Sequence, residues 1–261
     1  MTRKTVLQDD VKMLQYNYDA LRPMSSLEYL FLGYCDLPIP RNLGIAQIAR
    51  FQRVQDSFIE IVKIHRSILN RRGGDVGRAI RPDSSAIRLE DALRLTPSPG
   101  ICEYHFTCET FILDMRRYID SLIQLIQIEQ YHRSNDRTGD KPVFVTVDPD
   151  GVGRLLANKQ KFPVLTRLLF GEPHCEKCEE FCSLINSLSN AVKHHAYYSD
   201  VYNMIGETCP TIVGYEMRNK RAEIGIYHNH NAYHVMMGFQ DFVTHSARQV
   251  KEHFYPVGKG S

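Results

Sequence analysis

The chain has 261 residues, of which 43% are apolar and 24% charged, and its formal net charge is +2. That length encloses a core without staples, and the near-neutral charge excludes coating of nucleic acid by bulk charge while leaving room for a local basic patch. No run of 18 apolar residues occurs, so no membrane-spanning helix is expected, and the opening "MTRKTVLQDDVKMLQ" lacks the apolar block of a secretory signal.

The first 40 residues are mixed, with a helix start at Ser25 or Ser26 and a stop at Pro38 and Pro40. The first long helix is predicted over residues 41–72. Ile48, Phe51, Val54, Phe58, Ile61 (or Val62) and Ile68 recur at three and four residues. Arg71 and Arg72 suit its negative end, and Gly73 and Gly74 can cap it. Residues 73–99 read as a loop with at most one short helix.

A second long helix is predicted over 101–133, with Tyr104, Cys108, Phe111, Met115, Leu122 and Ile126 as its stripe and Glu103, Arg117 and Gln124 on the other side. Val143 to Val147 alternate as a strand or extended loop, stopped by Asp-Pro-Asp-Gly. "GRLLANKQ" and "FPVLTRLLFG" each suggest a short helix. The third long helix is predicted over 173–198, opened by Pro173. A β-hairpin follows over 211–228, with a basic tip at Arg218, Lys220 and Arg221. The last helix covers 232–254. The expected fold is mainly α: one helical domain over 1–261, a bundle of four long helices with a small β-hairpin before the last.

Seven cysteines, odd in number and dispersed, argue against a disulfide framework and for a reducing cytoplasm. Three of them, Cys175, Cys178 and Cys182, stand close to His174 in "HCEKCEEFC". Thiolate and imidazole are zinc ligands. On a helix, however, the three thiols share about 60° of arc with Phe181, Ile185 and Val192. With no second Cys-x-x-Cys in the chain, the expectation is core packing and no cofactor, with zinc on Cys175, Cys178, Cys182 and His174 as the alternative. Cys102 and Cys108 are not at helical contact spacing. His228, His230 and His234 form a second cluster. The first two share one strand face, and the expectation is that all three are exposed histidines at the strand–helix join, with a three-nitrogen zinc site as the alternative.

The segment "SLSNAVKHH" carries the most specific signal. Asn190 and His194 are four residues apart and share one helix face, more than about 100° from the stripe of Cys178, Phe181, Cys182, Ile185, Leu188 and Val192. Their plain role is hydrogen bonding at a helix end, where the dipole favours His194 and His195.

The order of long helices, the loop, the helix ending Asn-x-x-Lys-His, the insert and the final helix resembles the HEPN superfamily. The resemblance covers residues 41–255 in layout and the Asn190/His194 motif in residues. It implies a helical bundle, a homodimer, and a role in defence, toxin or RNA-linked biology, either by binding RNA or a protein partner or as a metal-independent ribonuclease. The family's phosphate-holding Arg, expected just before Asn190, is Ser189 here. In a ribonuclease, His194 would move protons at the 2′-hydroxyl and the leaving oxygen. Asn190 would orient it, and the cation for the phosphate would be Lys193, Arg116 or Arg117. The arginines also match Asp120 and Asp114 at helical spacing, which is ordinary surface support. The remaining expectation is a non-catalytic protein whose polar helix edge forms a dimer contact.

Overall fold

The structure, a computed structural model, describes residues 11–14, 41–71, 92–94, 99–134, 146–171, 175–194, 204–206, 208–217 and 225–254. The elements in chain order are β1 (Val11–Leu14), α1 (Arg41–Arg71), β2 (Ala92–Arg94), α2 (Pro99–Ser134), α3 (Val152–Ala157), α4 (Pro163–Phe170), α5 (Glu176–His194), β3 (Met204–Gly206), β4 (Thr211–Met217), β5 (Gly225–Asn231) and α6 (Ala232–Phe254), with a single 3₁₀ turn at Lys159–Lys161. The fold is mainly α with a β-hairpin directly before the last helix, as the sequence pattern requires. No described helix is long and apolar enough to cross a membrane.

The predicted stripes are buried along most of their length, with Ile68 half-buried. Phe51, Val54, Phe58 and Ile61 of α1 are buried, as are all six stripe residues of α2, while Ile48 is exposed. Contacts divide the chain into two compact units. Unit 1 is residues 1–20, 54–113 and 187–238, and unit 2 is residues 21–53, 114–186 and 239–261.

In unit 1 the hairpin of β4 and β5 is antiparallel, pairing Thr211 with Asn231 and Met217 with Gly225. β1 adds to the far edge of β5 in parallel, Val11 beside Gly225 and Leu14 beside His228, so β5 is the central strand of three. β2 and β3 form a separate antiparallel pair. Tyr104 of α2 is completely buried, and its hydroxyl donates to the Thr211 carbonyl (2.8 Å) and accepts the Thr211 N–H (2.7 Å). Phe58 packs on Phe111 and edge-on against Tyr233.

Unit 2 is built around aromatic rings. Phe239 stacks on Phe51 and meets Tyr118 and Phe181, and Phe181 also touches Phe242. Each ring so enclosed contributes about 1.5–3 kcal/mol by burial. α3 and α4 match the two short helices expected after residue 150. α4 begins on Pro163, whose fixed φ suits a first turn, and ends at Gly171 with φ +81°, a conformation that L side chains avoid.

Residues 146 and 147 have no regular structure. Several expectations lie outside the described residues: the Ser25/Ser26 helix, the Gly73/Gly74 cap, residues 143–145, His174, the extension of α5 over 195–198, and the hairpin tip at Arg218, Lys220 and Arg221.

Candidate functional site

The end of α5 lies in unit 1. Glu176 and Glu179 in its first turn complement the helix dipole. Its inner face is closed by Cys178, Phe181, Cys182, Ile185 and Leu188, all buried, with Val192 half-buried. The helix persists through His194, so Asn190 and His194 are one turn apart on one face, and Asn190 is half-buried. The side chains of Lys193 and His194 lie outside the described residues. Ser189 is fully buried. At the place where the HEPN pattern has its Arg, this helix therefore turns inward, where a guanidinium would lose its hydration.

Arg116 and Arg117 belong to unit 2. Arg116 donates through Nε to both oxygens of Asp120 (3.0 and 2.9 Å) and through another guanidinium nitrogen to Asn186 Oδ1. Asp120 Oδ1 also accepts the Val152 N–H (2.8 Å), so this knot holds the first turn of α3 against α2. It requires a glycine beside it: a Cβ on Gly153 would stand 2.8 Å from Asn186 Oδ1. Arg117 is exposed and pairs with the buried Asp114, which Arg53 reaches from its other oxygen at 3.2 Å. Both arginines are thus engaged with carboxylates.

The histidines of this cluster, two on β5 and His234 in the first turn of α6, are not at the surface. His228, His230 and His234 are all buried, correcting the expectation of exposed side chains. The reason is topological. β5 is the central strand, and Asn229 and Asn231 on its other face are buried as well. His228 Nδ1 and His230 Nε2 are 3.1 Å apart, so one ring donates its N–H to the other's bare nitrogen, and Ser187 Oγ approaches His228 Nε2 at 3.4 Å. Burial first, and the neighbouring His228 second, hold the His230 pKa well below the ordinary imidazole value. His65 of α1, whose ring nitrogen meets the Gly206 carbonyl at 2.6 Å, is likewise lowered by burial, and Arg66 adds to this while the carbonyl opposes it.

A different set of metal-type donors converges in unit 2. One ligand atom each of Cys175, Cys178 and His245 lies within 4.8 Å of the others, and among the described residues this is the group of three such donors close enough to share an ion. Cys175 stands just outside α5, as its cap: its carbonyl accepts the N–H groups of Cys178 (3.1 Å) and Glu179 (3.2 Å). Its own N–H donates to the Phe170 carbonyl at 2.5 Å, across the reversal at Gly171. Cys178 sits in the first turn of α5 and is buried. His245 comes from α6 and is half-buried.

The expectation for the thiols is met for Cys178 and Cys182, which are both buried, and differs for Cys175, which is half-exposed because it is not on the helix. Burial pushes the Cys178 thiol up, with further increments from Cys175, Cys182 and Asp241. It raises Cys182 well above the usual thiol range as well, against the pull of Arg116. For His245, burial lowers the imidazole pKa and Arg248 adds to that, while the Phe170 carbonyl and Glu252 oppose it.

His245 escaped the sequence reading because it is remote in the chain. The signal that could have found it is an unmatched Cys-x-x-Cys together with a histidine bordering the apolar stripe of the last helix, three residues after Phe242.

No family model matches this chain, and no curated protein and no solved structure does so either.

Proposed function

We propose that this chain is a HEPN-like helical protein of the cytoplasm that acts as a homodimer and binds RNA in a defence or RNA-linked role, through the end of α5 at Asn190, Lys193 and His194. The observation that supports it is the persistence of α5 through His194. It keeps residues 190 and 194 one helical turn apart, with Asn190 half-buried. Amide and imidazole groups donate to phosphate and to base edges, and a neighbouring lysine adds sequence-independent attraction.

Binding is favoured over cleavage by the state of the arginines. A phosphoryl transition state needs a cation aimed at it. Here Ser189 replaces the family's Arg, Arg116 is committed to Asp120 and Asn186, and Arg117 to Asp114.

Fluorescence anisotropy with a labelled single-stranded RNA tests this. His194→Ala and Asn190→Ala should each weaken binding by about tenfold, and Lys193→Ala should lower the salt slope by about one. Absence of RNA binding by the parent protein at low salt removes the reading. RNA cleavage that survives chelator and disappears in His194→Ala replaces it with the ribonuclease reading.

A further inference from the structure

We propose that Cys175, Cys178 and His245 bind a zinc ion, which fastens the beginning of α5 to α6. Three independent features of the site carry this.

The first is convergence. The donors come from a cap residue, a first-turn residue and a helix far along the chain, yet their ligand atoms fall within 4.8 Å of one another. Zinc–sulfur bonds of about 2.3 Å in a tetrahedron place two sulfurs about 3.8 Å apart, so a closure of about 1 Å or less completes the contacts. Two thiolates and an imidazole are soft-to-borderline donors of the kind zinc prefers over hard cations. Solvent or one further donor completes the fourth corner.

The second is polar satisfaction. Among the described residues His245 Nε2 is buried with no hydrogen bond of good geometry, although the Phe170 carbonyl lies near enough to the ring to raise its pKa. Buried ring nitrogens are ordinarily satisfied, and an ion is one of the accepted reasons for an exception. The contact at the other nitrogen is weak: Arg248 Nη2 approaches Nδ1 at 3.4 Å, longer than a good hydrogen bond. Arg248 is exposed and free to turn toward solvent when Nδ1 carries the proton.

The third is presentation and charge. Cys175 is fixed by its backbone, through the 2.5 Å bond to Phe170 and the two N–H groups its carbonyl receives. The helix beginning gives both thiolates a favourable dipole. Binding releases two thiol protons to solvent. The two thiolates then neutralise the dication, leaving no net charge added to a partly buried place.

A Cys-x-x-Cys at a helix start could instead serve as a redox dithiol, and the test separates the two. Full-length protein purified under reducing conditions after growth with zinc should carry about one zinc per chain by elemental analysis. Titration with Co²⁺ should saturate at one equivalent, with the thiolate-to-cobalt charge-transfer band and the visible bands of tetrahedral cobalt. His245→Gln, Cys175→Ser and Cys178→Ser should weaken cobalt binding by at least about tenfold, with circular dichroism reporting that the helices remain. Cys182→Ser and Cys102→Ala should leave it unchanged. If a ligand variant does not fold, the cobalt titration of the parent chain decides alone. A parent protein that takes up no cobalt after reduction overturns the proposal. So does a cobalt spectrum unaltered in folded His245→Gln, or a Cys175–Cys178 disulfide that returns no metal binding when reduced.

Discussion

Two groups of ligand-type side chains, one in each unit, are used in opposite ways. On β5, His228 and His230 are neighbours in sequence and in space, and they satisfy each other at 3.1 Å inside a strand covered on both faces. In unit 2, Cys175 and Cys178 meet His245 from a distant helix, and among the described residues its buried Nε2 makes no well-formed hydrogen bond. The lesson is that closeness in sequence favours internal hydrogen bonding, whereas an ion site needs donors that arrive from separate elements and remain unsatisfied.

The comparison can be broken most sharply at the histidine pair. His230→Ala should destabilise the fold by about 2–4 kcal/mol, since it leaves a void and removes the hydrogen bond to His228, yet it should not change zinc content. Urea unfolding beside elemental analysis checks both. Loss of metal in folded His230→Ala would show that the two groups are not separate.

Acid should act on the same side of the comparison. His65 and His230 have folded pKa values below their unfolded ones, so above about pH 6.5 both states are neutral and the groups add no pH dependence. As pH falls below that, the unfolded chain gains protons that the folded chain refuses. Stability should drop by up to about 1.4 kcal/mol per pH unit for each histidine until the folded pKa is reached. Chemical denaturation at pH 7 and pH 5.5 measures this, and His65→Gln should flatten the slope.

The smallest effect sharpens the other side. Lys159 and Glu179 form a partly exposed ion pair at 2.5 Å, tying the 3₁₀ turn to α5. Lys159→Ala should cost about 0.2–1 kcal/mol, less at high salt, and leave cobalt binding intact.

The long helices were legible because their apolar residues keep a 3.6-residue period over many turns, and Phe51 to Ile61 and Tyr104 to Ile126 are buried as that period demands. The hairpin was legible from alternation in "TIVGYEM" and "AEIGIYH", although β5 runs on to Asn231. β1, β2 and β3 were not, because segments of three or four residues carry too little pattern and their pairing partners are remote. The exposure expected for His228 and His230 followed residue type. It failed because both faces of β5, the central strand, are covered, a fact of tertiary packing that no local pattern holds. The thiol site was half legible. The helical-wheel argument placed Cys178 and Cys182 inward correctly, but it assumed that Cys175 rides the same helix. As the cap, that residue escapes the arc, and its partner on α6 cannot be inferred from spacing.

The parallel pairing of Val11–Leu14 with β5 has a practical consequence. A variant shortened beyond Leu14 would strip one margin of the central strand and bare a row of backbone donors and acceptors. Uncovered margins of this kind recruit other chains and promote aggregation. Expression trials that trim the leading residues should therefore stop short of Val11.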